Sequence, residues 1–294
     1  MLLTEKLYPK RSFKRGTRAP RFTLMEKILF DSHTHLNNDT FTEEERAIRV
    51  SEIEDSAVKY ICDIGFDMPS SRLALEHARK YPWCYAVVGM HPHDSKDMTE
   101  EGMEELKEMS KDPKVVAIGE IGLDFHYDLS PRDTQRYWFR RQIRLANELR
   151  MPIVIHSREA DREVMDILIE EGAFSEERKK SFADGTPHVD IHCYSGSQEF
   201  AKEYLKLGAI LGVDGPLTYK NNRKTVEVVE TVPLESLLIE TDAPYLTPVP
   251  FRGKPNKSPY VEYVARKVAE IKGLTYEEVA EATLNNAKKF FEID

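Results

Sequence analysis

The sequence predicts an α/β fold of the (β/α)8 TIM-barrel type. Three observations carry this reading. Eight short apolar runs recur along the 294-residue chain, amphipathic stretches separate them, and polar motifs follow most of the runs. Eight strands alternating with about eight helices match a barrel in count and size. A doubly wound open sheet shares the alternation. No glycine-rich dinucleotide fingerprint follows the first run, however, and this weighs against that sheet.

The runs lie at 28–30, 60–64, 85–88, 115–118, 153–155, 189–191, 209–213 and 237–239. Each is β-branched or aromatic in bias, as expected of strands covered on both faces. Helical spacing appears between them, as in Trp138, Phe139, Ile143, Leu145, Ala146 and Leu149. It recurs in Val261, Val264, Val268 and Ile271, spaced by three and four. Pro152, Pro187 and Pro233 punctuate the approaches to the fifth, sixth and eighth strands.

The composition narrows the class. A hydrophobic fraction of 40% is ample for a core, and no apolar stretch approaches the about 20 residues needed to span a bilayer. An apolar signal-peptide core is missing near the start, and the three cysteines, Cys62, Cys84 and Cys193, fit a reducing cytoplasm. The net charge of −9 is uneven: residues 1–27 carry +6, leaving −15 on the rest. Residues 1–24 read as a flexible basic extension, with nucleic-acid contact or targeting as the functional alternative. Residues 25–294 read as one barrel domain. Its acidity argues against broad wrapping of a polyanion, so a phosphate substrate needs metal ions and a few local cations. No membrane or obligate protein partner is indicated.

Chemistry concentrates after the strands. The first ends in Asp31-Ser32-His33-Thr34-His35, and the third in Gly89-Met90-His91-Pro92-His93-Asp94. The fourth runs into Gly119-Glu120-Ile121-Gly122-Leu123-Asp124. The fifth ends at His156, the sixth at His192 and the eighth at Glu240-Thr241-Asp242. A barrel gathers these ends at one mouth. His-x-His at a strand end sends both imidazoles to the same side, because side chains alternate with period two. Alone that motif is weak, and a single buried histidine is more often hydrogen-bonded core. Four imidazoles and two carboxylates at matching strand ends point to metal. Their number suits two cations sharing a bridging carboxylate. Nitrogen and oxygen donors without thiolate fit Zn, Mn, Co or Fe, and Mg less naturally. Cys193, directly after His192, is expected to face away from the mouth.

These motifs resemble the TatD family of metal-dependent deoxyribonucleases, among the wider metallohydrolase barrels. The segment 30–37, Gly89-Met90-His91-Pro92-His93, the Glu120 segment and Ile239-Glu240-Thr241-Asp242-Ala243-Pro244 carry the likeness, which spans residues 26–292. The resemblance implies His33, His35, Glu120 and Asp242 around one cation, and Glu120, His156 and His192 around a second. Glu120 is then the bridge, where many relatives in the broader superfamily use a modified lysine. It also implies hydrolysis of DNA, as an exonuclease or another nuclease. One similar branch deacylates mischarged tRNA, so another ester or amide is the alternative substrate. A nucleic-acid-binding barrel without turnover is the non-enzyme alternative.

Two such cations would lower the pKa of a shared water and neutralise phosphoryl charge, and Asp242 is the residue expected to orient the water and accept its proton. No serine or cysteine nucleophile motif is present. His91 is a candidate phosphate contact, and His93 and Asp124 are weaker candidates. Orientation of metal ligands is the role that suits Asp124. Arg252 or Lys254, in the loop after the eighth strand, are candidates to hold a backbone phosphate, and Phe251 or Tyr245 to stack on a base. Solvated loop side chains are the plain alternative.

Overall fold

Eight parallel strands pair in strict chain order in the computed structural model, which describes residues 28–294. The basic extension expected at 1–24 lies outside the described residues. The strands are β1 (Leu29–Thr34), β2 (Val58–Ile64), β3 (Cys84–Val88) and β4 (Val115–Asp124). They continue as β5 (Ile153–Arg158), β6 (Val189–Ile191), β7 (Ile210–Val213) and β8 (Leu237–Ile239). The sheet closes on itself: the Asp242 N–H donates to His33 O at 2.9 Å, and the His35 N–H to Ala243 O at 2.8 Å. Sequential order with closure is the barrel, and it excludes the doubly wound alternative.

Ten α-helices surround the strands among the described residues: α1 (Glu43–Glu54), α2 (Met68–Lys80), α3 (Glu100–Met109), α4 (Arg132–Leu149) and α5 (Asp161–Glu170). The others are α6 (Glu176–Ser181), α7 (Gln198–Leu207), α8 (Arg223–Thr231), α9 (Val261–Lys272) and α10 (Tyr276–Phe290). The excess over eight comes from short α6, inside the β5–β6 connection, and from α10, which follows α9 directly. Thr42 and Glu45 start α1 with a reciprocal capping box, and Thr275 with Glu278 starts α10 in the same way. On α4 the predicted stripe of Trp138, Phe139, Ile143, Leu145 and Ala146 is buried. Phe290 and Phe291, at the end of α10, pack with Phe30, Cys62, Val154 and Leu238 under the barrel floor. That plug leaves the C-terminal strand ends as the open face. No described helix is long and apolar enough to cross a membrane.

One strand departs from its predicted extent in a way that matters. The fourth apolar run stops at 118, yet β4 continues through Gly119 and Gly122 to Asp124. Its register against β5 shifts between Ile118 and Ile121, then resumes from Ile121–Ile155 to Asp124–Arg158. Gly122 has φ +152° and lies so close to β5 that a Cβ would sit 1.9 Å from the His156 carbonyl oxygen. The glycine is what lets the two strands meet. Glu120 and His156 are thus held within strands rather than on loops.

Candidate metal centre

Glu120 stands in the middle of the mouth, and its two oxygens face different imidazoles. Oε2 lies 3.4 Å from His33 Nε2. Oε1 lies 2.7 Å from His156 Nδ1, 3.6 Å from His91 Nε2 and 3.7 Å from His192 Nε2. Asp242 borders the other side, with Oδ1 3.2 Å from His35 Nε2 and 3.8 Å from His33 Nε2. Donor atoms fall within 4.8 Å of one another in three groups: His33, His35 and Glu120; His33, His192 and Asp242; His91, Glu120 and His156. The six residues singled out as ligands therefore share one cluster. The grouping differs from the expected one in placing His192 with His33 and Asp242, and His91 with Glu120 and His156.

Hydrogen bonding assigns the imidazoles different roles, since it fixes which nitrogen keeps a lone pair. A backbone carbonyl only accepts, so the 2.9 Å contact between His35 Nδ1 and Ile64 O puts the proton on Nδ1. Nε2 then faces Asp242 Oδ1 at 3.2 Å. His156 lies between two carboxylates, Nε2 3.2 Å from Asp124 Oδ2 and Nδ1 2.7 Å from Glu120 Oε1, so its contacts leave the tautomer open. His192 Nδ1 lies 2.9 Å from Glu240 Oε1, off the ideal N–H axis, which leaves Nε2 toward the cluster. His91 is the reverse. Its Nδ1 accepts the His93 N–H at 3.1 Å, so Nε2 carries the proton. Proximity alone would make His91 a ligand; the direction of its hydrogen bond makes it a donor.

Electrostatics follow the same division. Burial pushes His91 well below its ordinary pKa, and neighbouring His156 adds to this, so the ring is neutral. Burial would raise Glu120 and Asp242, but the surrounding imidazoles outweigh it and hold both carboxylates ionised. Burial would likewise lower His192, whereas Glu240 and Glu120 hold it well above its usual range. Glu240 also accepts the Cys193 N–H at 2.6 Å. Sequence reasoning assigns Glu240 no role; the one signal for it is an acid directly after β8, two residues before Asp242. Asp31 is tied to Thr241 and Ser258, yet burial pushes it up to about 7.

The remaining candidates divide. Asp124 holds two rings at once, with Oδ2 2.7 Å from His93 Nε2 as well as near His156. Arg252 lies over the Tyr219 ring at 4.2 Å, and Phe251 is stacked on Tyr260 at 4.3 Å. Tyr245 lies beside His35, with ring centroids 6.2 Å apart. Cys193 does not face away from the mouth. Its backbone is left-handed, φ +47°, which breaks strand alternation and sets Sγ 3.2 Å from Asp214 Oδ2 at the end of β7. It belongs to none of the three donor groups.

A direct test of metal fit comes from His33, which is buried with neither ring nitrogen hydrogen-bonded. An unmet buried polar atom is costly, and a cation among Nε2, Glu120 and Asp242 would satisfy one of them. The nitrogen and oxygen donors suit such an ion. Closed barrel and buried histidine–carboxylate mouth together define a metal-dependent hydrolase. The family described as TatD related DNase matches residues 30–292, and the chain belongs to it. It is 46% identical over 268 residues to the uncharacterized metal-dependent hydrolase YabD of Bacillus subtilis, covering 91% of this chain and all of that one. It is 31% identical to the 3'-5' ssDNA/RNA exonuclease TatD of Citrobacter rodentium, over 90% of this chain and 98% of the relative. The crystal structure of YJJV, a TatD homolog from Escherichia coli, superposes with a TM-score of 0.82 at 28% identity, covering 92% of this chain and all of that one.

Proposed function

We propose that the protein hydrolyses phosphodiester bonds of DNA, acting from a strand end, with two divalent cations. In this reading His33, His35, Glu120 and Asp242 hold one cation, and Glu120, His156 and His192 the second. The observation that carries it is the split of Glu120, whose Oε2 faces His33 while Oε1 faces His156 and His192. A carboxylate so divided is what a shared ligand requires. When bound, the cations supply Lewis acidity toward the phosphoryl oxygens and toward water at neutral pH.

The residues supply the rest. Asp242, ionised and 3.2 Å from His35 Nε2, accepts a proton at its carboxylate from the attacking water. Its backbone φ of +54° marks a strained turn that presents the side chain at the mouth. His91 Nε2–H donates toward a phosphoryl oxygen, which is the contact expected of it. Asp124 and Glu240 hold His156 and His192 from behind. Arg252 and the loop around it serve as an outer phosphate contact. DNA is the partner in this scheme, and the three unpaired cysteines fit a cytoplasmic setting.

The test uses the full chain, loaded in turn with each divalent ion, on end-labelled single-stranded DNA of both polarities and on aminoacyl-tRNA. Nucleotide release supports the reading. Release of amino acid without nucleotides reverses it toward ester hydrolysis, and binding without turnover in every metal leaves a binding barrel. At saturating metal, Asp242→Asn should lower turnover by at least about 100-fold, because the amide cannot readily accept a proton.

A further inference from the structure

Two tyrosines flank the metal cluster from opposite sides of the barrel. Each is the third residue after a site aspartate, in Asp124-Phe125-His126-Tyr127 after β4 and Asp242-Ala243-Pro244-Tyr245 after β8. In a closed eight-stranded sheet numbered in order, β4 and β8 stand across the mouth from each other. Both rings remain about half exposed, at 51% and 53%, although their backbones are pinned. The Tyr127 N–H donates to Asp124 Oδ1 at 2.8 Å, the same carboxylate that holds His156 and His93. The Tyr245 N–H donates to Asp242 O at 2.8 Å, and its carbonyl accepts from Asn256 Nδ2 at 2.7 Å. Its hydroxyl accepts from Asn38 Nδ2 at 2.9 Å. Each ring also lies near a histidine of the mouth: Tyr127 has its centroid 5.4 Å from that of His93, and Tyr245 6.2 Å from that of His35.

Large aromatic rings left half open to solvent on pinned backbones are not accounted for by core packing. They suit a flat partner. We propose that Tyr127 and Tyr245 are stacking platforms for two bases of a single-stranded polynucleotide laid across the mouth, one on either side of the reacting phosphodiester. The inference rests on the phosphodiester reading above and adds the residues that favour an unpaired strand. Paired bases are stacked inside a duplex and offer no free face, whereas splayed bases stack on aromatic rings regardless of sequence. Charge at one platform agrees: Arg158 lies 4.6 Å over the Tyr127 ring, and no described carboxylate pairs with it. Its guanidinium edge is open to the neighbouring phosphate. Phe251, by contrast, is less exposed, stacked on Tyr260 at 4.3 Å and edged by Tyr263 at 5.2 Å, and is the poorer platform.

The experiment compares Tyr127→Ala, Tyr245→Ala and the matching Phe variants with the parent, all metal-loaded. Substrates are a single-stranded oligonucleotide and the same strand with abasic residues flanking the cleaved bond. Each Ala variant should lose about 10-fold in kcat/KM on the complete strand, mainly through KM. It should match the parent on the abasic strand, and the Phe variants should restore activity. Quenching of 2-aminopurine beside the bound phosphate reads stacking without turnover, and should weaken in the Ala variants. Parental kcat/KM and quenching in both Ala variants overturn the proposal, as does equal loss on the abasic strand. If the parent quenches but releases no nucleotide, the hydrolytic reading fails while the platforms stand. If it cleaves and the Ala variants are unaltered, the platforms fail alone.

Discussion

The backbone N–H of His93 donates to Nδ1 of His91 at 3.1 Å, and this bond leaves the His91 N–H on Nε2, facing the cluster. His35 has the opposite arrangement, with Nδ1 donating to the Ile64 carbonyl and Nε2 inward, while His156 and His192 each have a carboxylate behind one nitrogen. His91 instead keeps an N–H inward. Its substitution should therefore affect turnover without emptying a metal position. His91→Ala is expected to bind as many divalent ions as the parent, while kcat falls about 100-fold, the cost of losing one aimed donor. His156→Ala should lose metal. Elemental analysis beside steady-state kinetics distinguishes them, and a lost ion in His91→Ala would make that residue a ligand.

Glu240 supports a different expectation. Its Oε1 lies 2.9 Å from His192 Nδ1 and also takes the Cys193 N–H, so it orients the ring without reaching the reacting centre. Carboxylates behind metal-bound histidines contribute about 10- to 100-fold in metal affinity. Glu240→Ala should weaken binding of one ion by that amount, read by titration of chelator-stripped protein. Asp242→Asn serves as a reference that alters turnover beyond affinity. Unchanged affinity in Glu240→Ala would reduce the residue to packing.

The contrast between these residues shows what the sequence makes legible. His33 and His35 are readable because period-two alternation sends both to one face, and the eight runs are readable because buried parallel strands are nearly all apolar. Glu240 and Asp242 lie past the end of β8, and Asp242 is left-handed, so strand alternation does not relate them; the role of Glu240 rests on its contact with His192 Nδ1, a matter of side-chain geometry. The tautomer of His91 is set by the 3-10 turn Pro92–Asp97, whose first amide reaches back to the ring. The orientation expected for Cys193 requires β6 to continue past His192. The strand ends at Ile191, and a left-handed residue then redirects the thiol. Arg252 illustrates the limit for loops: its basic character is plain in the sequence, its partner Tyr219 is not.

Away from the site, Asp184 links the β5–β6 connection to α10. It accepts from the Thr186 N–H at 2.9 Å and contacts His188 Nε2 at 3.0 Å and Lys289 Nζ at 3.2 Å. Burial would raise its pKa, but the Thr186 bonds and His188 bring it down to about 2, from 3.8. A carboxylate depressed on folding stabilises above its unfolded value and loses that contribution as pH falls through the folded one. Asp184→Asn should thus be less stable than the parent at pH 7, by about 1 kcal/mol after solvent screening. The gap should narrow as pH drops from 3.8 toward about 2. Urea unfolding across that range measures it; a gap that widens on acidification contradicts the assignment.

Gly122 joins fold and site at a single backbone position. An added Cβ would meet the His156 carbonyl oxygen at 1.9 Å and the His156 amide nitrogen at 3.1 Å, contacts that only movement of β5 can relieve. The φ of +152° adds strain of its own for any L side chain. Gly122→Ala should destabilise the protein by at least about 2 kcal/mol and shift His156 away from Glu120 and Asp124. Gly185, at φ +71° with nothing within 4 Å of where a Cβ would stand, provides the control. Gly185→Ala carries the backbone strain without the clash, so it should lose some stability and keep the full metal complement. Thermal unfolding in chelator reads the strain of each variant, and metal stoichiometry reads the displacement of His156. If Gly122→Ala binds metal like Gly185→Ala, then β5 yields without moving its histidine, and the close approach of β4 is a packing feature alone.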